Sequence, residues 1–247
     1  MRPLLTVVIV ACMLLTPRAG VRAQAQLDLE SGMVFASYSD VRIPGDGGTL
    51  FSLTDDLTSE TEAFFRGRIS YTFGGKHTLS LLVAPLSIPA AGTFDTPIDF
   101  TGVTFPAGEP LSAEYRFDSY RLTYRYALKR GDRFEAGLGV TGKIRDAEIR
   151  VESADQAAAK KNTGFVPLIN FLVRWNFERR FSLLLEGDAL AAPQGRAEDV
   201  LIALQFWPSE SVGFKAGYRI LEGGADSDEV YNFALLNYLV LGFLANF

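Results

Sequence analysis

The sequence predicts an all-β chain folded as a transmembrane, antiparallel, up-and-down β-barrel of ten strands, with eight as the alternative count. Three observations lead there. Apolar and polar residues alternate with period two through ten separate segments, the spacing at which the side chains of a strand fall on opposite faces. The connections between segments alternate between short and long, as in barrels that turn tightly on one side of a membrane and loop out on the other. The aromatic residues gather beside the short-turn ends of their segments, where rings settle at a membrane interface.

The first strand spans residues 27–41, with Leu27, Leu29, Met33 and Phe35 on one face and Asp28, Glu30, Val34 and Ala36 on the other. Pro44 and the glycines that follow open a long loop to about residue 60. The second strand, 62–73, sets Ala63, Phe65, Ile69, Tyr71 and Phe73 against Phe64, Arg66, Arg68, Ser70 and Thr72. Gly74-Gly-Lys76 is a tight turn into the third strand, 78–88. The longest connection, 90–113, holds Pro97, Pro106 and Pro110; it and the 45–60 loop are expected to stand open on the outer side.

Strands four (114–128) and five (133–152) meet at the turn 129–132. Both exceed the roughly 9–11 residues that a tilted strand needs to cross a bilayer, so this hairpin should rise above it. Residues 153–162 read as a polar loop. Strand six (164–177), the turn 178–180, strand seven (181–191), the link 192–195, strand eight (199–206), the turn 208–211 and strand nine (212–221) follow. Residues 223–228 lead to the last strand, 228–247. Its every-second residues Tyr231, Phe233, Leu235, Leu239, Leu241, Phe243, Ala245 and Phe247 form one nearly unbroken apolar face.

A terminal strand with one face in oil and Phe at its end resembles that of bacterial outer-membrane β-barrels. The resemblance implies that the short turns are periplasmic and the long loops extracellular. It implies that Phe243 and Phe247 belong to the signal read by the barrel-assembly machinery. It also implies a monomer surrounded by outer-membrane lipid and lipopolysaccharide. Tyr71, Phe73, Tyr124, Tyr126, Phe134, Trp175, Phe177, Phe181, Phe206, Trp207 and Phe214 would complete an interfacial girdle with Phe243 and Phe247.

The amino terminus fits that destination. Arg2, an apolar run from Leu4 to Leu15 and the small-residue sites Val21-Arg-Ala23 or Ala23-Gln-Ala25 predict a secretory signal peptide over residues 1–25. Sec-type export would then deliver residues 26–247, one barrel domain, to the outer membrane of a Gram-negative bacterium. Ile9-Val-Ala-Cys12 only faintly resembles a lipoprotein box, because the apolar run continues past it. Cys12 is the sole cysteine, which excludes disulfides and thiol chemistry from the mature chain. No later segment is apolar for the roughly 18 residues of a membrane helix. The net charge of −5 argues against a nucleic-acid partner.

If the apolar face meets lipid, the other face lines the lumen. It carries the acids Asp28, Glu30, Glu62, Glu135, Glu186, Asp188 and Asp199. Its bases are Arg66, Arg68, Arg121, Arg125, Lys143, Arg145, Arg174, Lys215 and Arg219. Those bases, with Asp28, Glu30, Glu186 and Asp188, are expected to meet across a narrow barrel as a network of ion pairs, because confined charge needs a partner. The alternative is a narrow, arginine-rich passage or conduit for small anionic or amphiphilic molecules.

Small-barrel enzymes of this membrane, the omptin proteases and lipid A deacylases, resemble the chain in size and architecture. They need a histidine with an acid or serine near the outer rim. The only histidine, His77, lies beside the Gly74–Lys76 turn, and Asp55-Asp56 has no histidine near it in sequence. The acidic stretch Asp226, Asp228 and Glu229 reads as solvated, with a Ca²⁺ or lipopolysaccharide bridge as the lesser reading. The sequence therefore predicts a non-catalytic barrel without cofactor or metal, structural or ligand-binding through its loops.

Overall fold

The computed structural model describes residues 24–193 and 195–247. The expected signal peptide and Cys12 lie outside the described residues, apart from positions 24 and 25, which begin the first strand. The described residues contain no helix. Their segments are β1 (Gln24–Arg42), β2 (Phe51–Ser52), β3 (Leu57–Ser59), β4 (Glu62–Phe73), β5 (His77–Ala84), β6 (Ser87–Thr93), β7 (Ile98–Phe100), β8 (Val103–Phe105), β9 (Pro110–Arg130), β10 (Phe134–Glu152), β11 (Ala157–Glu178), β12 (Phe181–Ala192), β13 (Gly195–Phe206), β14 (Val212–Asp226) and β15 (Tyr231–Asn246).

Neighbours in the wall pair antiparallel, and β1 pairs with both β4 and β15. β5 and β6 both lie along β9 and serve as one strand interrupted at Pro85 and Leu86. The wall is thus a closed ten-stranded antiparallel barrel, which removes the eight-stranded alternative. Closure is what lipid requires, since backbone groups there have no water to pair with. The carboxyl-terminal residue takes part: the Phe247 amide donates to the Ala25 carbonyl at 2.8 Å.

The outward face confirms which solvent it meets. Leu81, Leu122, Val140 and Leu241 are between 55 and 65% exposed, in an apolar band of the kind that water-soluble monomers do not present. At the short-turn end the rings stand side by side. Trp175–Phe177, Phe177–Phe181 and Phe181–Phe206 have centroids 5.5, 6.4 and 4.9 Å apart. Phe214 and Phe243 continue the girdle at 5.9 Å.

At the other end the structure departs from the expected open loops. Residues 90–93 pair with 110–113, 157–162 pair with 147–152, and 195–198 pair with 222–225. Above the membrane neither face needs to be apolar, so strands continue there without the alternation that announces them below. The two long connections also fold. β2 joins β1, β3 joins β6, and β7–β8 form a hairpin. Phe51 packs edge-on to Phe94 and Phe100 at 5.4 and 5.8 Å, and Phe100 and Phe105 are wholly buried. With Leu53, Ile88 and Ile98 they fill the outer mouth with an apolar plug.

Candidate functional site

Below that plug, at mid-height, the lumen is crossed by a layer of charge whose partners follow from strand register. Asp28 stands opposite Arg68, and Glu30 opposite Arg66, on the adjoining strands β1 and β4. On the other side of β1, Glu30 is in register with Gly242 of β15, which in turn faces Lys215 of β14. Gly242 is what lets Lys215 reach past its neighbour: a Cβ there would lie 2.6 Å from the lysine stem. The ammonium then donates to Asp28 at 2.7 Å and to Glu30 at 2.6 Å.

Arg219 donates to both oxygens of Glu30 at 2.8 and 2.9 Å and to Asp199 at 2.5 Å. Asp199 also accepts from Arg66 at 2.9 Å and lies 2.6 Å from Arg121. Arg121 reaches Asp188 at 2.8 Å, and Arg68 holds both oxygens of Glu186 at 2.8 and 2.9 Å. Thr141 and Asn170 donate to the remaining oxygen of Asp188 at 2.6 and 2.8 Å. The five carboxylates Asp28, Glu30, Glu186, Asp188 and Asp199 thus face the five cations Arg66, Arg68, Arg121, Lys215 and Arg219. Charge balances across the layer. Phe64 and Tyr238, edge to face at 4.9 Å, roof it on the outer side. Oxygens of Asp28, Glu30 and Glu186 converge within 4.8 Å, but protein cations already fill that space.

Four of the expected residues stand apart from this layer. Arg174 pairs with Glu135 at 2.8 Å and donates to Gln205 at 3.1 Å, nearer the short turns. Among the described residues Arg125 hydrogen-bonds Asn170, at 3.4 Å. Both line a polar vestibule of about 1010 Å³ at the short-turn end, which stops at the charged layer. Lys143 and Arg145 lie on its opposite side. Lys143 has its ammonium 4.5 Å from the Phe117 ring centre, and Arg145 hydrogen-bonds Asn162. Conversely, Asp199, placed by sequence at the start of a strand, is shared by three cations, as many as share Glu30.

Three other chemistry-bearing residues lie in separate places. His77 shares a hydrogen bond of 2.8 Å with Tyr124 and stacks on Phe73 at 5.3 Å, inside the short-turn girdle. Asp56 caps its own turn by accepting from the Ser52 amide at 2.7 Å. Asp226 is paired with Tyr231 in the β14–β15 ladder.

The sequence matches no protein-family model and no curated protein. Solved structures are similar in shape. The outer membrane protease OmpT from Escherichia coli superposes with a TM-score of 0.58 at 9% identity, over 91% of this chain and 97% of OmpT. The attachment invasion locus protein Ail of Yersinia pestis gives 0.42 at 12% identity, over 90% of this chain and 99% of Ail. Neisserial surface protein A gives 0.34 at 12% identity, over 92% of this chain and 99% of its own. What this chain shares with such proteins is a fold, that of the small outer-membrane β-barrels.

Proposed function

We propose that this chain is a non-catalytic, non-conducting barrel of the outer membrane, with its short turns in the periplasm and its packed loops at the cell surface. The observation that carries the reading is the balanced charged layer, backed on one side by the apolar plug. A hydrated ion would have to displace paired guanidinium and carboxylate groups and then pass a zone of Phe and Ile with nothing to coordinate it. A proteolytic reading through the likeness to OmpT finds little support, because His77 sits in the girdle at the opposite end from the outer rim. In this reading lipid and lipopolysaccharide surround the wall, and Phe243 and Phe247 present the terminal strand to the assembly machinery. The test is planar-bilayer recording of the refolded protein. Silence is expected, and steady anion-selective current from the wild type would put the conduit reading first. Deleting Phe247 should lower the yield of inserted barrel while leaving the heat-induced gel shift of the inserted fraction unchanged.

A further inference from the structure

The barrel wall has a gap. The β11–β12 ladder stops at Ile169 and Ala189, although β11 runs back to Ala157 and β12 on to Ala192. Pro167, two residues beyond the last pair, has no amide to offer a partner. The gap leads into a cavity of about 410 Å³ between the charged layer and the outer mouth. Phe165 and Pro167 form one lip, and Leu190 and Ala192 the other. Phe165 and Ile169, 70 and 46% exposed, place the opening in the outward apolar band. Backbone that is unpaired at membrane depth is tolerated where it lines a cavity, so the gap and the cavity explain each other.

The interior is greasy but not neutral. Tyr115, Phe117, Ile149 and Leu221 supply apolar walls, while Lys143, Arg145 and Lys160 line it with positive charge. The two carboxylates at its margin are engaged elsewhere. Glu148 lies 3.3 Å from Lys161 and 3.4 Å from Arg116, and Glu222 takes the Tyr38 hydroxyl at 2.5 Å along with Arg196. Lys143 is 4% exposed, and no carboxylate of the described residues lies within ion-pair distance of it. An ammonium packed on a ring face still has donors to offer.

The geometry points to a binding site for a single-chain anionic amphiphile, taken from the outer leaflet through the β11–β12 gap. Its carboxylate or phosphate meets Lys143 and Arg145, and its chain lies along Tyr115, Ile149 and Leu221. The volume falls in the range of roughly 300–1,000 Å³ that holds one small ligand, and a two-chain lipid would overfill it. Anion and chain are both required: the cations reject a neutral chain, and the apolar walls reject a free ion. The site is independent of whether the barrel conducts.

The test uses the whole barrel in lipid nanodiscs, with palmitate, hexadecyl phosphate and hexadecanol as probes and inorganic phosphate as the chainless control. One palmitate or one hexadecyl phosphate per barrel is expected, the better of the two naming the headgroup. Hexadecanol and inorganic phosphate should bind far more weakly. Lys143→Met should weaken the anionic probe about tenfold or more, as loss of a charge-assisted hydrogen bond does. Ala147→Trp, which fills the cavity without removing a charge, should abolish binding in a barrel that still shows the heat-induced gel shift. Hexadecanol binding as tightly as the anions, neither anion binding, or full binding by Ala147→Trp would each overturn the site.

Discussion

The lumen is filled twice, and the two fillings obey different rules. The mid-height layer is built of side chains whose partners are fixed by strand register, so that Glu30 can take Arg219 only because β1 lies two strands from β14. The outer plug is built of Phe, Leu and Ile contributed by folded loops, and its cohesion grows with the area removed from water, whatever the direction of contact. A charged filling is therefore intolerant of single deletions and an apolar one is forgiving of changes that keep its volume.

Substitutions can break or sharpen that contrast. The largest effect is expected at Asp199, because Asp199→Ala leaves Arg66, Arg121 and Arg219 facing one another around an empty acceptor. Removing one partner of a buried pair costs about 3–5 kcal/mol, read as a lower midpoint for the heat-induced gel shift. Asp199→Asn, which keeps the shape and an acceptor oxygen, should recover part of the loss. Glu186→Ala should cost less than Asp199→Ala. Its partner Arg68 is 20% exposed, so water can take over some of the lost hydrogen bonds. The smallest effect is expected in the plug, where Phe100→Leu stays apolar at nearly the same size and should cost under about 1.5 kcal/mol. A plug more sensitive than Asp199 would reverse the comparison.

The same contrast explains what could be read from the residues alone. Lipid imposes one apolar face on every strand it touches, so the terminal strand and the four short turns at 74–76, 129–132, 178–180 and 208–211 were legible from alternation. So were most of the lumenal charges. Asp199 is not legible as part of the network, because alternation fades before it and its strand reads as beginning there; the ladder in fact starts at Gly195. The plug was hidden for a different reason. Phe94, Phe100 and Phe105 sit among prolines and glycines with no period, and their burial depends on strands distant in sequence. Gly242 reads as one more small residue on the mixed face of the last strand, and nothing local says that a lysine passes over it. The break between β11 and β12 left only Pro167 as a trace.

The span of the charged layer along the chain has a consequence for how the barrel is born. Lys215 meets Asp28 and Glu30 across 187 and 185 residues, and Arg219 meets Glu30 across 189. Until the first and last strands join, Asp28 and Glu30 on one end of the curling sheet lack Lys215 and Arg219 on the other. Neutralising the interior and sealing the seam are thus one event. A half-wound sheet that slips into lipid early carries bare charge, which favours winding in a wet, guided setting until the final strand arrives.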